Sequence, residues 1–281
     1  MYTGYLYIIS AACFWGLIGI FSSIAFSEGM EPLEVGFWRA SIAWVCFAIH
    51  AFVKKDTHIE RKDIPLFVIF GIFGVSIFYI SYLIAVKTGG AAFASVLLYS
   101  APAWVIFISL FFYKEKLTII KLTAVVLIFL GVFLISRTGG NNSVSIGWIA
   151  ILSGLTSGFC YSLYYTMGKY FSKKYSSTNL FLYVLPIGVL GILPFVDFTH
   201  KTPLAWCSLV SVAVLSTFIA NYCYYQGLKH LEAGRASIVA TLEPIIAAIT
   251  AYIFLGEYFT PMGYLGTFLI LIAVVATIYE S

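Results

Sequence analysis

The chain has 281 residues, of which 61% are hydrophobic and only 10% charged, with a formal net charge of +4 and a mean hydropathy of +0.98. A soluble domain keeps roughly a quarter of its residues charged, so this composition excludes an ordinary water-soluble fold. The small positive excess lies in short connecting segments and calls for no nucleic-acid partner.

Apolar stretches of about twenty residues recur from end to end, each long enough to cross ~30 Å of hydrocarbon as a helix. The ~10-residue alternating segments of a transmembrane β-barrel are absent. In chain order the predicted spans are 5–26, 34–53, 64–85, 91–112, 119–136, 146–168, 178–197, 204–228, 234–255 and 262–279. The expected fold class is therefore an all-α integral membrane protein of ten transmembrane helices. The first stretch lacks a basic leading region and is followed by nine more, so it reads as helix one and not as a cleaved signal. The connections are too short for an ATPase module, so any pumping must draw on an ion or substrate gradient.

With the first residue inside the cell, twelve of the sixteen basic residues fall in inner loops: Lys54, Lys55, Arg61, Lys62, Lys114, Lys116, Lys121, Lys169, Lys173, Lys174, Lys229 and Arg235. This bias places both termini in the cytoplasm. The five cysteines (Cys13, Cys46, Cys160, Cys207 and Cys223) lie inside apolar stretches with no CxxC or Cys/His spacing. Neither a disulfide framework nor a metal site is indicated, and no cofactor is expected.

An internal repeat organises the chain. A shift of 142 residues carries 82–118 onto 224–260 and matches Tyr82/Tyr224, Lys87/Lys229, Ala91/Ala233, Ala94/Ala236, Ser95/Ser237, Pro102/Pro244, Phe112/Phe254, Glu115/Glu257 and Thr118/Thr260. Apolar segments match by chance at Leu or Ile, but not at Pro, Glu, Lys and Thr in one register. The expected domains are 1–138 and 145–281, with five spans each. An odd number of spans sends the second unit through the membrane in the opposite sense, as inverted repeats suited to alternating access.

The chemistry concentrates at mid-membrane depth. Pro102 and Pro244 interrupt spans four and nine, freeing the carbonyls of Leu98 and Ala240. They act either as packed kinks or as hinges lining a cavity. Glu243 stands near the bilayer centre, where a charge costs at least ~2.5–3.5 kcal/mol, and its repeat counterpart is Ala101. It reads as a neutral acid bonded to backbone, a counter-ion for a substrate ammonium, or a proton carrier.

Polar and aromatic side chains at helical spacing join it: Ser76, Tyr79 and Tyr82; Thr217, Asn221, Tyr224 and Tyr225; Ser153, Ser157, Tyr161 and Tyr164 or Tyr165; Trp15 and Ser22; and Tyr99 beside Ser100. Trp15, Tyr79, Tyr82, Tyr99, Tyr161, Asn221, Tyr224 and Glu243 are the candidate substrate-binding residues. Aromatic faces with one carboxylate suit an amine or ammonium-bearing solute. Glu115 and Glu257 end spans four and nine and are expected to turn toward the start of the following helix, at Thr118 or Thr260. Arg39 is expected near the outer rim, snorkelling or paired with Glu31 or Glu34, with guarding the cavity mouth as the alternative. These three are assigned structural roles.

The segments "LLYSAPAWVIFISLFFYKEKLT" (97–118) and "VATLEPIIAAITAYIFLGEYFT" (239–260) resemble the EamA domain of the drug/metabolite transporter superfamily. So do "FWG" (14–16), "FWRA" (37–40) and "YYQGLKHLEAGRAS" (224–237). Two departures are Lys114, where a glycine is usual before the first glutamate, and Ser157-Gly158, which replaces the "WG" pair. The resemblance implies a ten-helix inverted-repeat exporter of the inner membrane with spans one, three, four, six, eight and nine around a central cavity. Its expected substrates are amino acids or similar small amine-bearing metabolites, with protons as a candidate coupling ion. A broad exporter of amphipathic drugs or cations is the alternative within transport. An intramembrane enzyme or a non-transporting sensor is the alternative of another class, and the chain shows no GxSxG, HExxH or P-loop signature.

Overall fold

The computed structural model describes residues 2–89, 91–136, 147–255 and 261–279, and among them every regular element is helical. Hydrocarbon offers the backbone no hydrogen-bond partner, so each apolar stretch satisfies its own amides as a helix. In chain order these are α1 (Tyr2–Gly16), α2 (Ile18–Ser27) and α3 (Pro32–Lys54). Then α4 (Ile64–Ile69) continues through a π-helical segment, Phe70–Ile77, into α5 (Phe78–Gly89). Next come α6 (Ala91–Leu98), α7 (Ala101–Phe112), α8 (Ile119–Ser136), α9 (Trp148–Ser172) and α10 (Ser177–Ile192). Last, α11 (Pro203–Ala213) runs through a second π segment, Val214–Ile219, into α12 (Ala220–Leu228), followed by α13 (Ala233–Ala240), α14 (Glu243–Leu255) and α15 (Pro261–Tyr279).

Among the described residues, eight stretches are long and apolar enough to cross a membrane. They are Tyr2–Ser27, Pro32–Lys54, Arg61–Gly89, Ala94–Phe112, Ser177–Phe195, Pro203–Leu228, Ala233–Phe254 and Pro261–Tyr279, and Ile119–Leu134 is a shorter apolar helix. The predicted sixth span corresponds to α9, 25 residues long. Its serines, tyrosines and Lys169 dilute its hydropathy and leave it outside the eight.

The two prolines do more than kink their helices. The helix stops at Leu98 and restarts at Ala101, and stops at Ala240 and restarts at Glu243. The intervening turns close with short bonds from Ser100 N to the Leu97 carbonyl (3.1 Å) and from Leu242 N to the Val239 carbonyl (3.2 Å). Pro102 and Pro244 thus sit in the first turn of a new helix, where a missing N–H leaves nothing unsatisfied.

The same interruptions occur at 99–100 and 241–242, 142 positions apart, and the two π segments end at Ile77 and Ile219, also 142 apart. Contacts come in exchanged pairs: α1 packs on α12 and α5 on α9, α6 on α9 and α13 on α1, α7 on α9 and α14 on α1. The helices α3 and α10 pack together, as do α8 and α15. In the last pair a Cβ on Gly131 would meet the Gly266 carbonyl at 2.6 Å. That glycine sets how closely the two backbones approach.

Candidate functional site

A cavity of about 190 Å³ opens between the two sets of helices, beside the buried aromatic core. α1 contributes Trp15, α3 Arg39, α5 Tyr79 and Tyr82, and α9 Tyr161 and Tyr164. The second π segment contributes Thr217, α12 Asn221 and α14 Glu243. Tyr79 and Asn221 occupy the same register of the repeat, so each half presents a polar group from equivalent helices.

Glu243 opens α14 directly after the turn at 241–242, which turns its carboxylate toward the cavity. The Tyr161 hydroxyl donates to its Oε2 at 3.1 Å, and the Tyr161 ring stacks on Phe78 (5.4 Å between centroids, 11° between planes). On another wall, Arg39 Nε donates to Thr217 Oγ1 at 2.7 Å, and the guanidinium lies 6.0 Å from the centre of the Tyr79 ring. Thr217 in turn donates to the Val212 carbonyl five residues back, at 3.2 Å, the reach of a π turn.

Six of the eight sequence candidates line this cavity: Trp15, Tyr79, Tyr82, Tyr161, Asn221 and Glu243. Tyr99 and Tyr224 belong to the buried core instead. Tyr224 lies behind Trp15 (5.2 Å between rings) and against Tyr165 (5.4 Å). Its own repeat counterpart Tyr82 does line the cavity, so what takes Tyr224 out of the wall is the cover of the Trp15 and Tyr165 rings and not the helical spacing.

Arg39 is a correction to the rim position expected from sequence. Neither Glu31 nor Glu34 pairs with it. Glu34 is buried against Lys201 (2.6 Å) and accepts from the backbone and hydroxyl of Thr199. That leaves Arg39, five residues further along α3, to reach inward. The only signal for this in the sequence was the arginine's presence within an apolar span.

Glu115 is a second correction. It does not turn back on the next helix, which Thr118 caps itself by accepting from Lys121 N at 3.2 Å. Glu115 instead accepts from Ala233 N (3.0 Å) and Gly234 N (3.3 Å), the open N–H groups that start α13. Its negative charge there favours that helix dipole. Lys121 stands beside it, 3.8 Å from Glu115 and 2.7 Å from Glu232. Lys169 donates to the carbonyls of Leu228 (2.6 Å) and Leu231. Tyr113 donates to the Thr166 carbonyl at 2.6 Å, and burial pushes its hydroxyl up to about 12, so it remains a donor. Glu257 lies outside the described residues.

The glycines at the matched positions 16 and 158 fit the two helix breaks. A Cβ on Gly158 would strike the Leu97 carbonyl at 2.5 Å as well as the Ser100 hydroxyl, and one on Gly16 would meet Ile246 at 2.6 Å. Among the described residues, no group of three or more His, Cys, Asp or Glu converges as metal ligands do.

The model of the EamA-like transporter family matches the chain twice, over residues 2–137 and 148–279. This chain belongs to the EamA-like transporter family. Curated relatives agree. An uncharacterized transporter of Archaeoglobus fulgidus is 27% identical, covering 93% of each chain. The uncharacterized inner membrane transporter YicL of Salmonella typhimurium is 26% identical, over 99% of this chain and 96% of its own. A solved crystal structure superposes with a TM-score of 0.86 at 15% identity, covering 100% of this chain and 98% of the other. That likeness shows the fold alone. The family and the spans together make this a multi-pass membrane transporter.

Proposed function

We propose that the chain is a secondary transporter of the inner membrane that exports amino acids or similar small amine-bearing metabolites by alternating access. One observation carries the substrate reading. A carboxylate, Glu243, is held by Tyr161 in a cavity whose remaining walls are largely aromatic, and such a wall binds an ammonium through ring faces and one opposite charge. The size of the cavity supports a small solute over a drug-sized one. About 190 Å³ lies below the ~300–1,000 Å³ of drug-sized pockets.

The exchanged contact pairs support two five-span units related by a two-fold axis in the membrane plane, with α9 as the sixth span. In that arrangement, swapping the conformations of the units exchanges one opening for the other. The lysine distribution supports cytoplasmic termini. Glu243 would hold a proton on one half of the cycle and the substrate ammonium on the other. The family reading favours transport over an intramembrane enzyme or a sensor.

The test is counterflow in proteoliposomes with labelled amino acids. Glu243→Gln abolishes flux while expression and thermal unfolding persist. An imposed pH gradient accelerates the wild type and leaves the variant unmoved. Unchanged flux in Glu243→Gln would sink the site assignment.

A further inference from the structure

We infer that Arg39 is the carboxylate-binding residue of this cavity, so that Arg39 and Glu243 together select a zwitterion over simple amines and hydrophobic cations. The inference rests on the transport reading above and narrows it from amine-bearing solutes to those that also carry a carboxylate.

The argument begins with how this chain treats charge. Buried carboxylates elsewhere are answered by cations: Glu34 by Lys201 at 2.6 Å and Asp63 by Lys174 at 3.1 Å. The buried Lys121 is likewise answered by Glu232 at 2.7 Å. Arg39 and Glu243 line one cavity with opposite signs, yet among the described residues neither forms an ion pair within 4.0 Å, with the other or with any third group. Two opposite charges kept apart inside an apolar span are costly unless something else meets both.

The geometry shows what that partner is. Thr217 engages only the Nε of Arg39, and among the described residues nothing accepts from its two terminal nitrogens. Those nitrogens form the planar fork that matches a carboxylate with two parallel bonds. Thr217 and the Tyr79 face hold the fork in place, so little freedom is lost on binding. Across the cavity, Tyr161 takes one oxygen of Glu243, and the other carboxylate oxygen has no partner among the described residues. An α-amino acid carries its ammonium and carboxylate on one carbon and places each against its opposite charge.

The two charges also come from different halves, and neither is repeated. The positions 142 residues away are Phe181 and Ala101. A symmetric cavity suits a solute with equivalent ends. This one is polar from Arg39 on α3 to Glu243 on α14, and a zwitterion bridging them ties the two moving units together. A hydrophobic monocation meets Glu243 equally well but must also lie beside an unanswered guanidinium, so Arg39 works against it as well as for the zwitterion.

The experiment uses the full chain in proteoliposomes loaded with a mixture of the common L-amino acids. Counterflow of the labelled mixture is challenged by the unlabelled mixture, by the matching amino-acid amides, and by the matching decarboxylated amines. In wild type, the amides and amines compete at least about ten-fold more weakly than the amino acids, the scale of losing charge-assisted hydrogen bonds. Arg39→Gln lowers amino-acid competition by about the same factor and leaves the amides within about two-fold, which removes the discrimination. Arg39→Lys, which keeps the charge without the fork, falls between them. Thermal unfolding in detergent checks that each variant is folded, and Thr217→Val gives a second route by loosening Arg39 without touching its charge.

Equal competition by amides and amino acids in wild type overturns the inference while transport stands. An equal loss for both ligand classes in Arg39→Gln, or unchanged discrimination in that variant, also overturns it. If neither amino acids nor amides move in wild type, the transport reading falls and takes the inference with it.

Discussion

Glu243 and Tyr161 meet through one hydrogen bond of 3.1 Å, and the two partners contribute differently. Tyr161→Phe removes the donor and keeps the ring stacked on Phe78, so the wall survives and only the carboxylate loses its orientation. The expected result is a counterflow rate about ten- to a hundred-fold lower, the worth of one hydrogen bond to a charged group, against complete loss in Glu243→Gln. Rates that fall equally in the two variants would show that Tyr161 does more than orient the acid. Much of this wall was legible in the sequence, because a polar group inside an apolar run stands out whatever the fold. Trp15, Tyr79, Tyr82, Tyr161, Asn221 and Glu243 all line the cavity. Arg39 was harder to place. Its distance from the helix start fits both a snorkelling side chain and an inward one, and the choice is made by Glu34, which Lys201 holds elsewhere. Tyr224 shares a stripe with Asn221, as Tyr82 does with Tyr79, but the Trp15 ring from α1 covers it, and no local spacing reveals that.

Among the elements, the broken helices depend on what approaches them. Gly158 on α9 faces the Leu97 carbonyl at the end of α6, and a Cβ there would come within 2.5 Å of that oxygen. Backbone cannot yield as a side-chain tip can, so Gly158→Ala should destabilise by about 1–3 kcal/mol, the cost of overpacking, read as a lower thermal unfolding midpoint in detergent. Gly19→Ala on α2 is the control, since nothing lies within 4 Å of its added carbon. A midpoint unchanged in Gly158→Ala would mean that α6 and α9 separate freely. Glu115 makes a second element-scale case. Glu115→Ala removes the acceptor from the first amides of α13 and should cost about 0.5–2 kcal/mol, as other lost helix caps do. Glu115→Gln keeps an acceptor and should lose less. Local rules pointed Glu115 at Thr118 because they see only neighbours in sequence, whereas its partners lie 118 and 119 residues away. The prolines were visible for the opposite reason, since a missing N–H is a local fact. Only the change from kink to full break needed the structure.

At the scale of the molecule, the 142-residue register anticipated that the two halves would share their interruptions, because equal sequences at equal positions break alike. It did not reveal which faces meet. Helices in lipid associate through small residues and shape, without an apolar stripe to mark the contact. The register also draws attention to where the halves differ. At the lysine-rich end, Lys121 bridges α8 to Glu232, Glu115 joins α7's end to α13, and Lys169 ties α9 to the carbonyls at and just after the end of α12. At the opposite end, the positions matching Lys121, Glu232 and Lys169 are Gly263, Gly90 and Ser27, so these three charges have no counterparts there. The ion pair at that end among the described residues is a different one, Glu34 with Lys201. Under the proposed alternating access, the lysine-rich end, which we propose faces the cytoplasm, is closed by this network between α7, α8, α9 and α13. Among the described residues, the other end carries only the Glu34–Lys201 ion pair, between α3 and the segment before α11. Weakening the charged seal should therefore shift the population toward the inward-open form. Lys121→Gln removes a pair whose lysine side chain is only 3% exposed while Glu232 remains 45% exposed. A coupling of about 1 kcal/mol then changes the ratio of states about five-fold. The measurement places a cysteine at Asn221 in a background with the five native cysteines replaced, and labels it with an impermeant maleimide from each side of oriented vesicles. Labelling from the cytoplasmic side should rise about five-fold in Lys121→Gln and labelling from the outside should fall. Equal rates in the two backgrounds would mean that the network holds the helices without gating the cavity. A rise on both sides would indicate loosening of the whole bundle instead of a shift between two closed ends.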